Sequence, residues 1–120
     1  MARKILFVDD ESDLQFMVAT YFELHGYDVV GASDAEEAVR RAEGASLDAI
    51  ILDVTLPGEG SSKLFDFLKL NHPAAPIILY TGRQSDDDIV QDMLKRGAKC
   101  YLLKDGSLAS LLATVMEVCV

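Results

Sequence analysis

Five short apolar runs recur along the chain, each followed by a longer stretch whose apolar residues fall at helical spacing. The runs are Ile5-Leu6-Phe7-Val8, Asp28-Val29-Val30-Gly31-Ala32, Ala49-Ile50-Ile51-Leu52, Ile77-Ile78-Leu79-Tyr80 and Cys100-Tyr101-Leu102-Leu103. Each is strand length, and the third is apolar on both faces. Between them, Leu14, Met17, Val18, Tyr21 and Phe22 mark a first helix, with Gly26 placed to stop it. Ser33-Asp34-Ala35-Glu36 reads as a capping box opening a second helix. A third helix carries Leu64, Phe65 and Leu68 and must end before Pro73. Asp86, Asp87 and Asp88 put negative charge at the start of a fourth, which Gly97 closes. Ser107 caps a fifth. Strand-helix repeated in this way, with strands buried on both faces, predicts a parallel sheet covered by helices on both sides.

Composition narrows the function. Eleven basic against twenty acidic residues leave a net charge of −9, so direct nucleic-acid binding is not expected. No apolar stretch approaches the roughly 18 residues of a membrane span. The basic start, Met1-Ala2-Arg3-Lys4, runs at once into acids and is not a signal peptide. Cys100 and Cys119 make no disulfide framework, which favours a cytoplasmic setting. His25 and His72 have no partner motif. Phe65 and Phe67 read as core and partial surface.

In a parallel sheet of this kind reactive groups gather where the carboxyl ends of the strands meet the loops. Asp9 and Asp10 follow the first strand, within the crowded acids of ILFVDDESD. Asp53 follows the third, Thr81 the fourth and Lys104 the fifth. In the strand order 2-1-3-4-5 these strands are contiguous and the side chains converge. Each residue alone has an ordinary explanation as a cap, a turn before Pro57 and Gly58, a strand exit or a surface lysine. Together they point to a pocket in which the carboxylates of Asp9, Asp10 and Asp53, with waters, make an all-oxygen site that suits Mg²⁺. A carboxylate of Asp53 can attack phosphorus. Lys104 and the Thr81 hydroxyl can neutralise and bind the phosphoryl oxygens.

These ordered motifs, Asp9-Asp10, LDVTLPG around Asp53, Thr81-Gly82 and Tyr101-Leu102-Leu103-Lys104, resemble the receiver domain of bacterial two-component response regulators from end to end. The resemblance implies a flavodoxin-like five-stranded sheet with five helices. It implies Mg²⁺ held by Asp10, Asp53 and the backbone carbonyl of Thr55, with Asp9 reaching the metal through water. It implies that Asp53 is the phosphoacceptor, taking its group from a sensor histidine kinase or phosphotransfer protein. Thr81 and Lys104 would assist, and Thr81 and Tyr101 would form a switch pair. A downstream target protein, or a homodimer formed on phosphorylation, would read the face of the fourth helix, fifth strand and fifth helix. The chain would catalyse only its own phosphorylation and dephosphorylation.

Three features depart from the family pattern. Asp105 follows Lys104 where the family commonly has proline, so a trans peptide is expected there. Nothing follows the last helix, so residues 1–120 are expected to be one receiver domain with no output domain. Thr55 and Arg83 stand at positions that vary in the family and tune phosphoryl lifetime. Two other readings fit less well. A haloacid-dehalogenase-type phosphohydrolase needs an acid where Thr55 stands. A nucleotide-binding loop is missing, since Gly58-Glu59-Gly60 continues neither GxGxxG nor GxxxxGK[ST]. An adaptor of the same fold that docks without being phosphorylated is the runner-up.

Overall fold

The computed structural model describes residues 2–56 and 60–119. The turn read at Pro57 and Gly58, and the start of Gly58-Glu59-Gly60, lie outside the described residues. The elements alternate as expected: β1 (Arg3–Val8), α1 (Ser12–Leu24), β2 (Tyr27–Ala32), α2 (Ala35–Ala42), β3 (Ala49–Leu52), α3 (Gly60–Asn71), β4 (Ile77–Thr81), α4 (Asp88–Lys95), β5 (Cys100–Leu103) and α5 (Leu108–Val118). The sheet order is β2-β1-β3-β4-β5, all parallel.

Side chains on a strand alternate between faces, and that alternation splits the core in two. Leu6, Val8, Ile50, Leu52 and Leu79 pack under α2, α3 and α4, meeting Ala38, Leu64, Phe65, Leu68, Val90 and Met93. Ile5, Phe7, Ile51, Ile78 and Tyr80 face α1 and α5, meeting Val18, Phe22, Leu111 and Val115. The three central strands are buried along almost their whole length, whereas the edge strands β2 and β5 are half-buried.

Helix ends follow the local chemistry, with one correction. The capping box of α2 is displaced by one residue. Asp34, not Ser33, is the N-cap, accepting from the Glu37 N–H at 2.8 Å, and Glu37 returns its carboxylate to the Ser33 N–H at 2.6 Å. Asp87 caps α4 and Ser107 caps α5 through their side chains. Gly97 takes φ +112° just past α4, in the left-handed region open to glycine. At that same end, Arg96 ties α4 to α3. Its guanidinium pairs with Asp66 and Asp92, donates to the Ser62 hydroxyl and carbonyl, and lies 5.1 Å over the Phe65 ring.

The described peptide bonds are all trans, including the one between Lys104 and Asp105. No helix among the described residues is long and apolar enough to cross a membrane. Cys100 opens β5 with its thiol free, and Cys119, also free, is buried in the α1/α5 core layer. His25 ends α1 with its ring Nδ1 2.9 Å from the Tyr21 carbonyl, and Phe65 is core while Phe67 is partly buried.

Candidate functional site

The ladder runs one residue beyond the strands and sets the site. The Asp9 N–H donates to the Ala32 carbonyl and the Asp53 N–H to the Val8 carbonyl, both at 3.0 Å. The Lys104 N–H donates to the Thr81 carbonyl at 2.8 Å. Asp9, Asp53 and Lys104 are therefore held at the carboxyl edge by backbone bonds, and Thr81 is the last residue of β4. Asp9 is 1 % exposed, Asp53 2 % and Thr81 0 %, while Asp10 stands in solvent.

One carboxylate oxygen from each of Asp9, Asp10 and Asp53 lies within 4.8 Å of the others. Into this cluster reaches one cation, Lys104, with Nζ 2.5 Å from Asp9 Oδ2, 3.1 Å from Asp53 Oδ2 and 3.4 Å from Glu11 Oε1. A single ammonium serves three carboxylates, two of them buried. Burial pushes the Asp9 carboxyl above its ordinary value, and the Lys104 contact offsets only part of that. For Lys104, burial alone would favour loss of the proton, but the close contacts with the Asp9 and Asp53 carboxylates carry its pKa above the ordinary lysine value. The lysine is thus firmly cationic.

The two oxygens of Asp53 are treated differently. Oδ1 accepts from the Thr55 N–H at 3.0 Å and from the Thr55 hydroxyl at 2.7 Å, while Oδ2 faces Lys104. Asp9 Oδ1 takes the Glu11 N–H at 2.9 Å, but its buried Oδ2 receives no well-angled hydrogen bond beside its ionic contact. That under-satisfied oxygen, in an all-carboxylate set, fits a hard divalent cation such as Mg²⁺ that keeps part of its water shell.

Thr81 and Tyr101 meet through Arg83. The Arg83 N–H donates to Thr81 Oγ1 at 3.3 Å, and the Tyr101 hydroxyl donates to the Arg83 carbonyl. The Arg83 side chain pairs with Asp87 Oδ2 at 2.8 Å. Tyr101 sits with the α2/α3/α4 layer, and its neighbours Cys100 and Leu102 with the other, as alternation along β5 requires.

Sequence reasoning brought Asp9, Asp10, Asp53, Thr81 and Lys104 to one edge and added Thr55 and Tyr101 through the family resemblance. The fold places the five at that edge, with Thr55 bonded to Asp53 and Tyr101 reaching the Arg83 carbonyl. It missed three supports. Ser61, buried, donates to the Asp53 carbonyl at 3.0 Å and accepts from the Leu56 N–H at 3.2 Å, closing the loop after β3. Gln15 donates to the Asp9 carbonyl at 2.6 Å and to Ser33 at 3.1 Å. It can lie across β2 only because Gly31 has no side chain, since a Cβ there would come 2.5 Å from Gln15 Oε1. The third is Glu11, whose acidity was visible but not its reach to Lys104.

By fold and pocket this is an open, doubly wound α/β protein with an acidic site at the carboxyl edge of its central strands. Residues 5–116 match the family model of the response regulator receiver domain. Over 104 residues the chain is 38 % identical to the alkaline phosphatase synthesis transcriptional regulatory protein PhoP of Bacillus subtilis, covering 87 % of this chain and 43 % of that protein. Over 120 residues it is 33 % identical to the phosphate regulon transcriptional regulatory protein PhoB of Escherichia coli, covering 98 % and 52 %. The chain thus spans about half the length of these curated relatives. Among solved structures it resembles a CheY-like receiver domain protein of Methanospirillum hungatei, with TM-score 0.90, 26 % identity and 98 % and 93 % of the two chains covered. It also resembles TrrA of Thermotoga maritima, solved in complex with Mg²⁺-BeF, with TM-score 0.81, 25 % identity and 97 % and 98 % covered. The chain belongs to the response regulator receiver domain family of two-component systems.

Proposed function

We propose that this chain is a phosphoryl-accepting switch in which Asp53 takes a phosphoryl group from a phosphohistidine on a sensor kinase or phosphotransfer protein. The carrying observation is the Asp53 carboxylate itself. It is buried, with one oxygen fixed by Thr55 and the other facing Lys104, beside the acid pair. An Asp53 oxygen attacks phosphorus, the P–N bond to the donor imidazole breaks, and its electron pair leaves with the nitrogen. The chain contributes position and charge, which is most of what phosphoryl transfer requires. Lys104 would turn from the carboxylates to a phosphoryl oxygen, and the Thr81 hydroxyl would bind another. Asp10, Asp53 and the Thr55 carbonyl would hold Mg²⁺, with Asp9 contacting it through water. Bound there, Mg²⁺ would supply charge neutralisation at the phosphoryl oxygens. The chain then acts on no substrate beyond its own acyl phosphate. A cytoplasmic setting, where such donors are made, fits this role.

Incubation with acetyl phosphate and Mg²⁺ is expected to add one base-labile phosphoryl group, detected by intact mass. Asp53→Asn is expected to add none, because an amide is a poor nucleophile. An Asp53→Asn protein that still gains the group would overturn the assignment, and a native protein that never gains it would favour the adaptor reading. Asp10→Asn is expected to weaken Mg²⁺ binding about tenfold or more, roughly 1.4 kcal/mol. Titration calorimetry giving equal affinities would remove Asp10 from the metal set.

A further inference from the structure

Tyr80 is the last β4 side chain on the α1/α5 layer, and the chemistry above makes no use of it. It pairs across the sheet with Leu102, which shares its layer. Lys104 lies two residues beyond Leu102, so alternation sends its stem out on the side of Tyr80. Nζ stands 5.9 Å from the Tyr80 ring centroid while it contacts Asp9, Asp53 and Glu11. The ring is itself fixed. Tyr80 is 4 % exposed and packs at 6.4 Å against Phe7, which is fully buried.

We propose that the Tyr80 ring is a positioning residue for the Lys104 ammonium, holding it at the mouth of the acid pocket by cation–π attraction. In its purpose this rests on the phosphoryl-acceptor reading; in its contact it does not. The need arises from lysine's long flexible stem. Tyr80 and Lys104 line a cleft of about 520 Å³ with Leu14, Met17, Leu108 and Glu11. Without the ring the ammonium is free to leave the pocket along that cleft. Carboxylates hold an ammonium by occupying its N–H donors, and Lys104 has only three. A ring face attracts the same charge and occupies none. The donors therefore stay available to be handed from Asp9 to an incoming phosphoryl oxygen. Burial also pushes the Tyr80 hydroxyl above its ordinary pKa, so the ring remains neutral at physiological pH.

The test compares Tyr80→Phe, which keeps the ring, with Tyr80→Leu, which keeps apolar bulk alone. In protein labelled at lysine, the ε-methylene protons of Lys104 are expected to show a ring-current shift in the native and Phe proteins that Leu abolishes. With acetyl phosphate and Mg²⁺, Tyr80→Leu is expected to lower the maximal phosphorylation rate about three- to tenfold. The donor concentration at half-maximal rate should change little, and Tyr80→Phe should restore the rate. If the Leu protein loses its cooperative thermal transition, Tyr80→Met replaces it. An unchanged Lys104 shift in the ring-less variant overturns the proposal, as does an unchanged rate, or equal losses in Phe and Leu. If the native protein accepts no phosphoryl group, the acceptor reading fails, and the ring-current comparison alone decides the Tyr80 contact.

Discussion

Lys104 carries the heaviest electrostatic duty in the molecule, and its removal exposes the cost of the acid cluster. Lys104→Met leaves Asp9 and Asp53 buried with no cation among them. Breaking a buried pair costs ~3–5 kcal/mol, but here Asp9 can take a proton and Glu11 remains wetted. The expected loss at pH 7 in Mg²⁺-free buffer is therefore ~1–3 kcal/mol in urea unfolding, and Mg²⁺ should shrink it. Native-like stability of the variant without Mg²⁺ would contradict this account. The pH dependence has a definite sign. The folded protein binds the Lys104 proton more tightly than the unfolded chain, whose lysine titrates near 10.5. That stabilisation is complete below about 10.5 and disappears as pH rises through the folded value. Asp9 runs against the usual carboxylate pattern. Its folded value lies above 3.8, so its contribution falls as pH rises from there through the folded value. Lys104→Met should remove the alkaline loss.

At the scale of elements, β4, β5 and α4 meet at one residue. Arg83 gives its N–H to Thr81, its carbonyl to Tyr101 and its side chain to Asp87, the cap of α4. If Thr81 turns its hydroxyl to a phosphoryl oxygen, the Arg83 N–H loses its acceptor and the loop before α4 must adjust. Tyr101 should report that adjustment. With beryllofluoride and Mg²⁺, its ring resonances are expected to shift, and Thr81→Ala is expected to abolish most of the shift. A full shift in Thr81→Ala would sink the coupled pair. The pair itself was legible in sequence through the family resemblance, carried by Thr81-Gly82 and Tyr101-Leu102-Leu103-Lys104. The Arg83 junction was not, since two of its three bonds use backbone atoms that any residue possesses. The displaced cap of α2 has a similar cause. Ser33 and Asp34 are both good caps, and only the backbone's entry into the helix selects Asp34.

Across the whole molecule the topology was readable and the long-range pairings were not. Five strand-helix units with doubly apolar strands leave few arrangements, and the acids at strand ends named the working edge. Glu11 and Lys104 are 93 positions apart, and Gln15 needs the bare backbone of Gly31, so no local pattern announces either contact. Surface chemistry also differs between faces. Phe16, Met17 and Leu24 are exposed on α1, while Ile89 and Met116 are exposed on α4 and α5. Because Thr81, Tyr101 and Arg83 all lie on the α4 side, phosphorylation-dependent contacts, with a target or a second copy, are expected on α4, β5 and α5. Cross-linking of the beryllofluoride form should map them there, and contacts confined to residues 12–25 would refute this.

The Arg96 tie between α3 and α4 bears on how that face could respond. Through Arg96, one end of α4 is lashed to its neighbour by one carboxylate, Asp66, a serine and an aromatic ring. The other is attached through Asp87 to the loop that follows Thr81. Only Val90 and Met93 of the helix are fully sunk in the core, and a cleft of about 600 Å³ lies between it and α3. Such a helix is a lever with its fulcrum at Arg96. A displacement of the Arg83 loop acts on the end far from that fulcrum, so it is expected to move the first turn while the last turn stays in place.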